Sequence, residues 1–164
     1  VTRPSTIPAG GRALRPEEQQ GLVEEMAQII EKSHLFKSLG PDGRREVLES
    51  GYVMSFGDGD LLMRQGDRGD VMYLIMRGKV RVETETPAGK VALAELGRDA
   101  CVGEVSVISG QDRTASVTAV GDVDVVAFVR HRIERVLESH PKVREILENI
   151  VQARAQDTIE KIIG

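Results

Sequence analysis

Cysteine is nearly absent from this chain: Cys101 is the only one in 164 residues. One thiol excludes an internal disulfide framework, a Cys-rich zinc site and an iron–sulfur cluster. Histidine is also scarce. His34, His131 and His140 lie far apart and show no metal-ligand spacing. Positive charge is not in excess. The net charge is −4, whereas a nucleic-acid surface needs clustered Lys and Arg. Apolar runs are only a few residues long, so the sequence offers no membrane span. No secretory signal is legible, and a cytoplasmic location is the expectation. What remains is an ordinary globular composition, 40% hydrophobic and 29% charged, over about one domain's length. A domain of this size can bury roughly two-thirds of its unfolded surface without disulfides or metals.

The text changes character along the chain. Residues 1–16 carry Pro4, Pro8, Gly10, Gly11 and Pro16, which predicts a flexible tail. From Glu17 to Ser33 the apolar residues Leu22, Val23, Met26, Ile29 and Ile30 repeat at helical spacing. A short apolar patch, Leu35, Phe36 and Leu39, breaks at Gly40-Pro41, and a second helix is expected over Asp42 to Ser50. Between Tyr52 and Val129 glycines recur every few residues and separate short β-rich runs. These runs are Val71–Met76, Lys79–Thr84, Lys90–Ala94, Thr114–Ala119 and Asp124–Val129, with a hairpin tip at Pro87-Ala88-Gly89. Helical text returns over Arg130 to Ser139, stops at Pro141, and resumes from Lys142 to about Ile163. There is no internal repeat of 20–50 residues.

The expected fold class is therefore α+β: an antiparallel, jelly-roll-like β-roll flanked by N-terminal helices and a C-terminal helix pair. The expected divisions are a tail at 1–16, a helical segment at 17–51, the roll at 52–129, and two closing helices at 130–164.

One stretch departs from strand patterning. In VGEVSVISGQDRTASV, residues 102–117, a Gly-Glu pair opens an apolar turn, a Gly closes it, and Arg-Thr-Ala-Ser begins the next strand. Glu104 to Ser109 is long enough for about one and a half helical turns. A short helix after Gly103 points free N–H groups outward, and glycine leaves room for close approach. That pattern suits an anion. Arg113 adds a forked cationic donor, and Ser106 and Thr114 add hydroxyls. Glu104 fits beside a phosphate site as an acceptor for sugar hydroxyls. Each string alone is a common turn or strand end; the spacing and the glycine-punctuated surroundings make the set specific.

On these residues the sequence resembles the cyclic nucleotide-binding domain. The stretch 102–117 is similar to that family's phosphate-binding cassette, without a gap. Upstream, GDLLMRQGDRGDVMYLIMRGKVRV matches the family's β-roll pattern, with Gly59, Gly66, Gly69 and Gly78 at its turn glycines. LFKSLGPDGRREVLES resembles the N-terminal helical element of protein kinase A regulatory subunits. The resemblance covers about Ser33 to Gln156.

The resemblance implies roles. Gly103 and Ser106 would give amides to the phosphate, Arg113 would pair with it, and Thr114 would add a donor. Glu104 would accept from the ribose 2′-hydroxyl. Val105, Thr114, Ala115 and Arg154 would meet the base. Two positions depart from the family pattern: Val102 stands where an aromatic is usual, and Ser106 replaces a small apolar residue. The ligand would be cyclic AMP or, less favoured, cyclic GMP, since Thr114 occurs in binders of both. No cofactor, metal or catalytic residue is implied.

The last helix adds its own evidence. Val143, Leu147, Ile150 and Arg154 are spaced four, three and four apart and share one face. Either the stripe has ended and Arg154 snorkels to solvent, or this face closes over a ligand and Arg154 meets a purine. The resemblance favours the second, because hyperpolarisation-activated channels carry a base-capping arginine at this distance from the cassette arginine. Ile159, Ile162 and Ile163 lie off that face and are left for a partner, a second copy or fraying.

Four readings compete. The leading one is a non-catalytic sensor that acts on an unidentified effector domain or protein, with a homodimer left open. A sensor fragment of a catabolite-activator-type transcription regulator, or of a channel, is the alternative. A kinase regulatory subunit is weak, because the tail has only the isolated Arg3, Arg12 and Arg15. A cupin-type metalloenzyme is rejected, because no histidine lies between Tyr52 and Val129.

Overall fold

Two long bent strands organise the molecule. The computed structural model describes residues 12–13 and 15–163. In chain order the elements are β1 (Arg12–Ala13), α1 (Pro16–Gly21), α2 (Val23–Lys32), α3 (Pro41–Ser50), β2 (Gly51–Phe56) and β3 (Leu61–Met63). They continue with β4 (Val71–Thr86), β5 (Gly89–Leu96), β6 (Cys101–Val102), α4 (Glu104–Ser109), β7 (Ser116–Val129), α5 (Arg130–Ser139) and α6 (Pro141–Ile163).

All strand pairs are antiparallel, in the order β1-β2-β7-β4-β5, with β3 on β7 and β6 on β4. The expected runs 71–76 and 79–84 are one strand, β4, and the runs 114–119 and 124–129 fall largely in one strand, β7. Glycine bends these strands instead of ending them. Gly78 has φ +88°, and a Cβ there would stand 2.3 Å from the Asp122 carbonyl. The β4–β7 register shifts on both sides of Arg77. The bend folds the sheet over itself into the α+β roll expected from the sequence.

Alternation along β4 builds two cores. Val71, Tyr73 and Ile75 face the roll interior, with Val117, Val125 and Ala127. Met72, Leu74 and Met76 face the helices, with Val126 and Phe128. The apolar patch after α2 docks here. Phe36 is fully buried, with its ring 5.7 Å from that of Phe128. Burying a side chain of this size is worth roughly 1.5–3 kcal/mol. Val143 and Leu147 of α6 join the same core.

The helical boundaries differ locally from expectation. The helix expected over 17–33 is two helices, because Gly21 and Leu22 interrupt it; Leu22 has φ −109° and ψ 3°. Glycine is a weak helix former, so the turn tightens there. Pro41 and Pro141 begin α3 and α6, where proline's missing N–H costs nothing. Residues 1–11 and 14 of the expected flexible tail lie outside the described residues. Residues 12 and 13 depart from it, since they pair with Ser55 and Met54.

Candidate ligand-binding site

The site begins with two glycines. Gly103 has φ +84° and forms the N-terminal boundary of α4; Gly110, at φ +74°, forms its C-terminal boundary. Both conformations disfavour residues with a side chain. A Cβ on Gly103 would meet Arg113 Nη1 and the Val71 carbonyl, each at 2.8 Å. Glycine therefore lets the cassette backbone lie against the Arg113 guanidinium.

Arg113 is 6% exposed. Its guanidinium donates to the Gly103 carbonyl at 3.1 Å and the Val71 carbonyl at 2.7 Å. Both acceptors are neutral, and no carboxylate pairs with Arg113 among the described residues. Burial pushes its pKa down from the ordinary arginine value, against the pull of Tyr73, Asp70 and Glu104. A buried cation with unspent donors is suited to an incoming anion. Its main chain is held just as firmly: Gly66 N–H donates to the Arg113 carbonyl, and Arg113 N–H donates to the Asp67 carbonyl, both at 2.8 Å. Gly69 lies against the guanidinium so closely that a Cβ there would stand 2.2 Å from Arg113 Nε.

Glu104 is buried in the first turn of α4. Its Oε1 accepts from Arg154 Nη1 at 2.5 Å, and the same Nη1 donates to the Cys101 carbonyl. Arg154 therefore does not snorkel to solvent. It reaches from the lid helix into the cassette, and the stripe of Val143, Leu147 and Ile150 ends on an ion pair. Burial opposes the Arg154 charge, and the Glu104 carboxylate outweighs it, so the guanidinium pKa is raised.

These residues line one cavity of about 600 Å³. Gly103, Glu104, Val105, Ser106, Arg113, Thr114, Ala115 and Arg154 all contribute to its wall. The sheet side is apolar, with Val82, Leu93, Leu96 and Val117, and Val151, Ala155 and Ile159 close it from α6. Ile159, which the sequence left off the closing face, is therefore part of the wall although half-exposed. Among the described residues no group of His, Cys, Asp and Glu could hold a metal ion, and no helix is long and apolar enough to cross a membrane.

Sequence reasoning missed three supporting residues. Thr84 Oγ1 donates to the Thr114 carbonyl at 3.0 Å and fixes the cassette's exit. Arg130 opens α5 and donates to the carbonyls of Gly69 and Ser106, beside Asp70. Lys161 reaches the Leu93 carbonyl. All three contacts join residues at least 24 positions apart, so no local pattern marks them.

Cys101 lies under this site. Its thiol is fully buried and pushed up to about 12 by desolvation, with the Glu104 carboxylate adding to the effect. The thiolate is the reactive form. Iodoacetamide at about pH 8 should leave Cys101 unmodified in the folded protein and alkylate it after denaturation. Rapid labelling of the folded chain would contradict this burial.

The fold and the cavity define a ligand-binding roll closed by a helix. Residues 53–140, more than half of the chain, match the family model of the cyclic nucleotide-binding domain, and the chain belongs to that family. It is 30% identical over 104 residues to the lysophospholipase nte1 of Aspergillus fumigatus, covering 63% of this chain but 7% of that protein. It is 29% identical over 127 residues to a cyclic nucleotide-gated potassium channel of Mesorhizobium japonicum, covering 77% of this chain and 34% of the channel. It is 30% identical over 113 residues to the cAMP-dependent protein kinase regulatory subunit of Dictyostelium discoideum, covering 66% of this chain and 35% of the subunit. The chain thus spans about a third or less of each of these relatives. A solved cyclic nucleotide-binding domain from Methylobacillus flagellatus superposes with a TM-score of 0.74 at 26% identity, covering 94% of this chain and 88% of that one.

Proposed function

We propose that this chain is a sensor for a 3′,5′-cyclic nucleotide, cyclic AMP in preference to cyclic GMP, and that it performs no chemistry on the ligand. The observation that carries this reading is Arg113, buried and, among the described residues, bonded through its side chain only to backbone carbonyls, beside the amides that open α4. In this reading the cyclic phosphate takes the remaining donors of Arg113 and the amides of Gly103 and Ser106, with Thr114 alongside. The ribose hydroxyl bonds the Glu104 carboxylate, which has lone pairs beyond the one given to Arg154. The base lies between Val105, Thr114 and Ala115 on one side and α6 on the other. There Arg154, held by Glu104, covers it. The preference for cyclic AMP draws on the Dictyostelium relative's name and on the position of Arg154.

Ligand contacts with both the cassette and α6 would bias the lid toward one arrangement, by no more than the difference in affinity between the two. A cytoplasmic location, an effector in the same or another chain, and self-association belong to this reading. A sensor portion of a channel is the second reading, favoured by the match to the potassium channel over 77% of this chain.

Thermal unfolding tests the proposal. Ligand at a hundred times its dissociation constant adds about 2.7 kcal/mol to the folded state. Cyclic AMP should raise the melting temperature, and 5′-AMP, whose phosphate is open and doubly charged, should not. Equal effects of the two, or none from cyclic AMP and cyclic GMP, would contradict the proposal.

Gly69→Ala probes the Arg113 seat. The new methyl would overlap the guanidinium, and overpacking of this kind costs about 1–3 kcal/mol. Cyclic AMP affinity should fall at least about fivefold. Calorimetric titration of this variant at wild-type affinity would show that Arg113 is not the anchor.

A further inference from the structure

The far end of the lid helix makes a contact that the site description does not use. The edge strand β5 pairs with β4 through Val82 opposite Ala94 and Glu83 opposite Ala92, so the ladder skips Leu93. Leu93 is a bulged residue. Bulges on edge strands re-aim groups and often stand beside binding sites. Here the Leu93 side chain is 6% exposed and lines the cavity, while its carbonyl accepts from Lys161 Nζ. Lys161 also pairs with Asp157 one turn earlier, at 3.0 Å.

Lys161 lies seven residues beyond Arg154, which is about two helical turns or 10 Å along α6. The lid is therefore attached at two points. Arg154 holds it to the cassette, and Lys161 holds it to the edge of the sheet. Ala155, Thr158 and Ile159, between those points, line the cavity. One attachment would let the end of α6 pivot about Arg154; the second removes that freedom and closes the gap between α6 and β5. A bulged carbonyl suits a lysine here, because the ammonium is a compact donor on a flexible stem.

We infer that Lys161 is a positioning residue: its clasp on the Leu93 carbonyl holds the end of α6 on β5 and sets how fast a bound cyclic nucleotide escapes. The inference rests on the proposed function. Lys161 is 40% exposed at its side chain and near the end of its helix, so its replacement removes no part of either core. A bound ligand cannot leave until the clasp breaks, so loss of the clasp acts on release more than on entry.

The test is a stopped-flow chase of an 8-linked fluorescein derivative of cyclic AMP by excess unlabelled cyclic AMP. Lys161→Met should raise the release rate about five- to tenfold and leave the association rate within about twofold. Lys161→Arg, which keeps a cationic donor, should restore release to within about twofold of wild type. Unchanged release in Lys161→Met, or an equal change in association, would overturn the inference. A wild-type chain that fails to bind the probe would overturn the proposed function instead. The clasp is then read without ligand, from spin labels on Glu160→Cys and Lys90→Cys. Buried Cys101 does not compete for label. The distance distribution should be narrow with Lys161 and longer and broader with Lys161→Met; identical distributions would overturn the clasp.

Discussion

Replacing Arg113 by glutamate is expected to abolish cyclic nucleotide binding. The wild-type guanidinium is buried and offers its remaining donors to the cavity. The variant would put a carboxylate where the phosphate is proposed to sit. Breaking a buried charge pair costs about 3–5 kcal/mol, or roughly two to four orders of magnitude in affinity. The same carboxylate would face the carbonyls of Gly103 and Val71, so the folded state also loses stability. Arg113→Gln separates the two effects. It keeps an N–H donor for one of those carbonyls and carries no charge, so it should fold with a smaller drop in melting temperature and still lose most of its affinity. Calorimetric titration beside circular dichroism checks both. Wild-type affinity in a folded Arg113→Gln chain would remove the phosphate assignment.

Arg154→Ala carries the second largest expected effect. It strips the Glu104 carboxylate of its cation while that carboxylate stays buried. Truncating one member of a buried, hydrogen-bonded ion pair costs roughly 2–5 kcal/mol. Arg154 is a third exposed, which places its effect near the lower end, about thirtyfold in affinity. The effect should not add to that of Glu104→Gln. A double-mutant cycle is expected to return a coupling of about 0.5–3 kcal/mol between the two positions. Strict additivity would mean that Arg154 and Glu104 act on the ligand separately, against the bond that joins them in the structure.

Much of the architecture was legible because its signals are local. The short helix Glu104–Ser109 is found at the limits expected from Gly103 and Gly110, since two glycines at positive φ bracket one apolar turn. The hairpin turns at Pro87-Ala88, and α5 covers Arg130–Ser139, ahead of the proline expected to stop it. Strand continuity was less legible. A glycine such as Gly78 reads as a break in sequence, yet in the sheet it serves as a bend within one strand. The helix interruption at Leu22 was hidden by an apolar period that runs through it.

The site divides in the same way. The cassette positions and Arg154 line one cavity. What each cation touches depends on chain folding over long separations. Arg154 meets Glu104 across 50 residues, Arg130 meets Ser106 across 24, and Lys161 meets Leu93 across 68. A sequence shows which residues share a helix face, but not which carbonyl a bulge turns toward it.

The most direct test of the central claim is isothermal titration of the purified chain, stripped of any co-purified nucleotide, with cyclic AMP and separately with cyclic GMP. The account predicts saturable binding near one site per chain, tighter for cyclic AMP. Absence of heat with both ligands, from a chain shown to be folded, would contradict it.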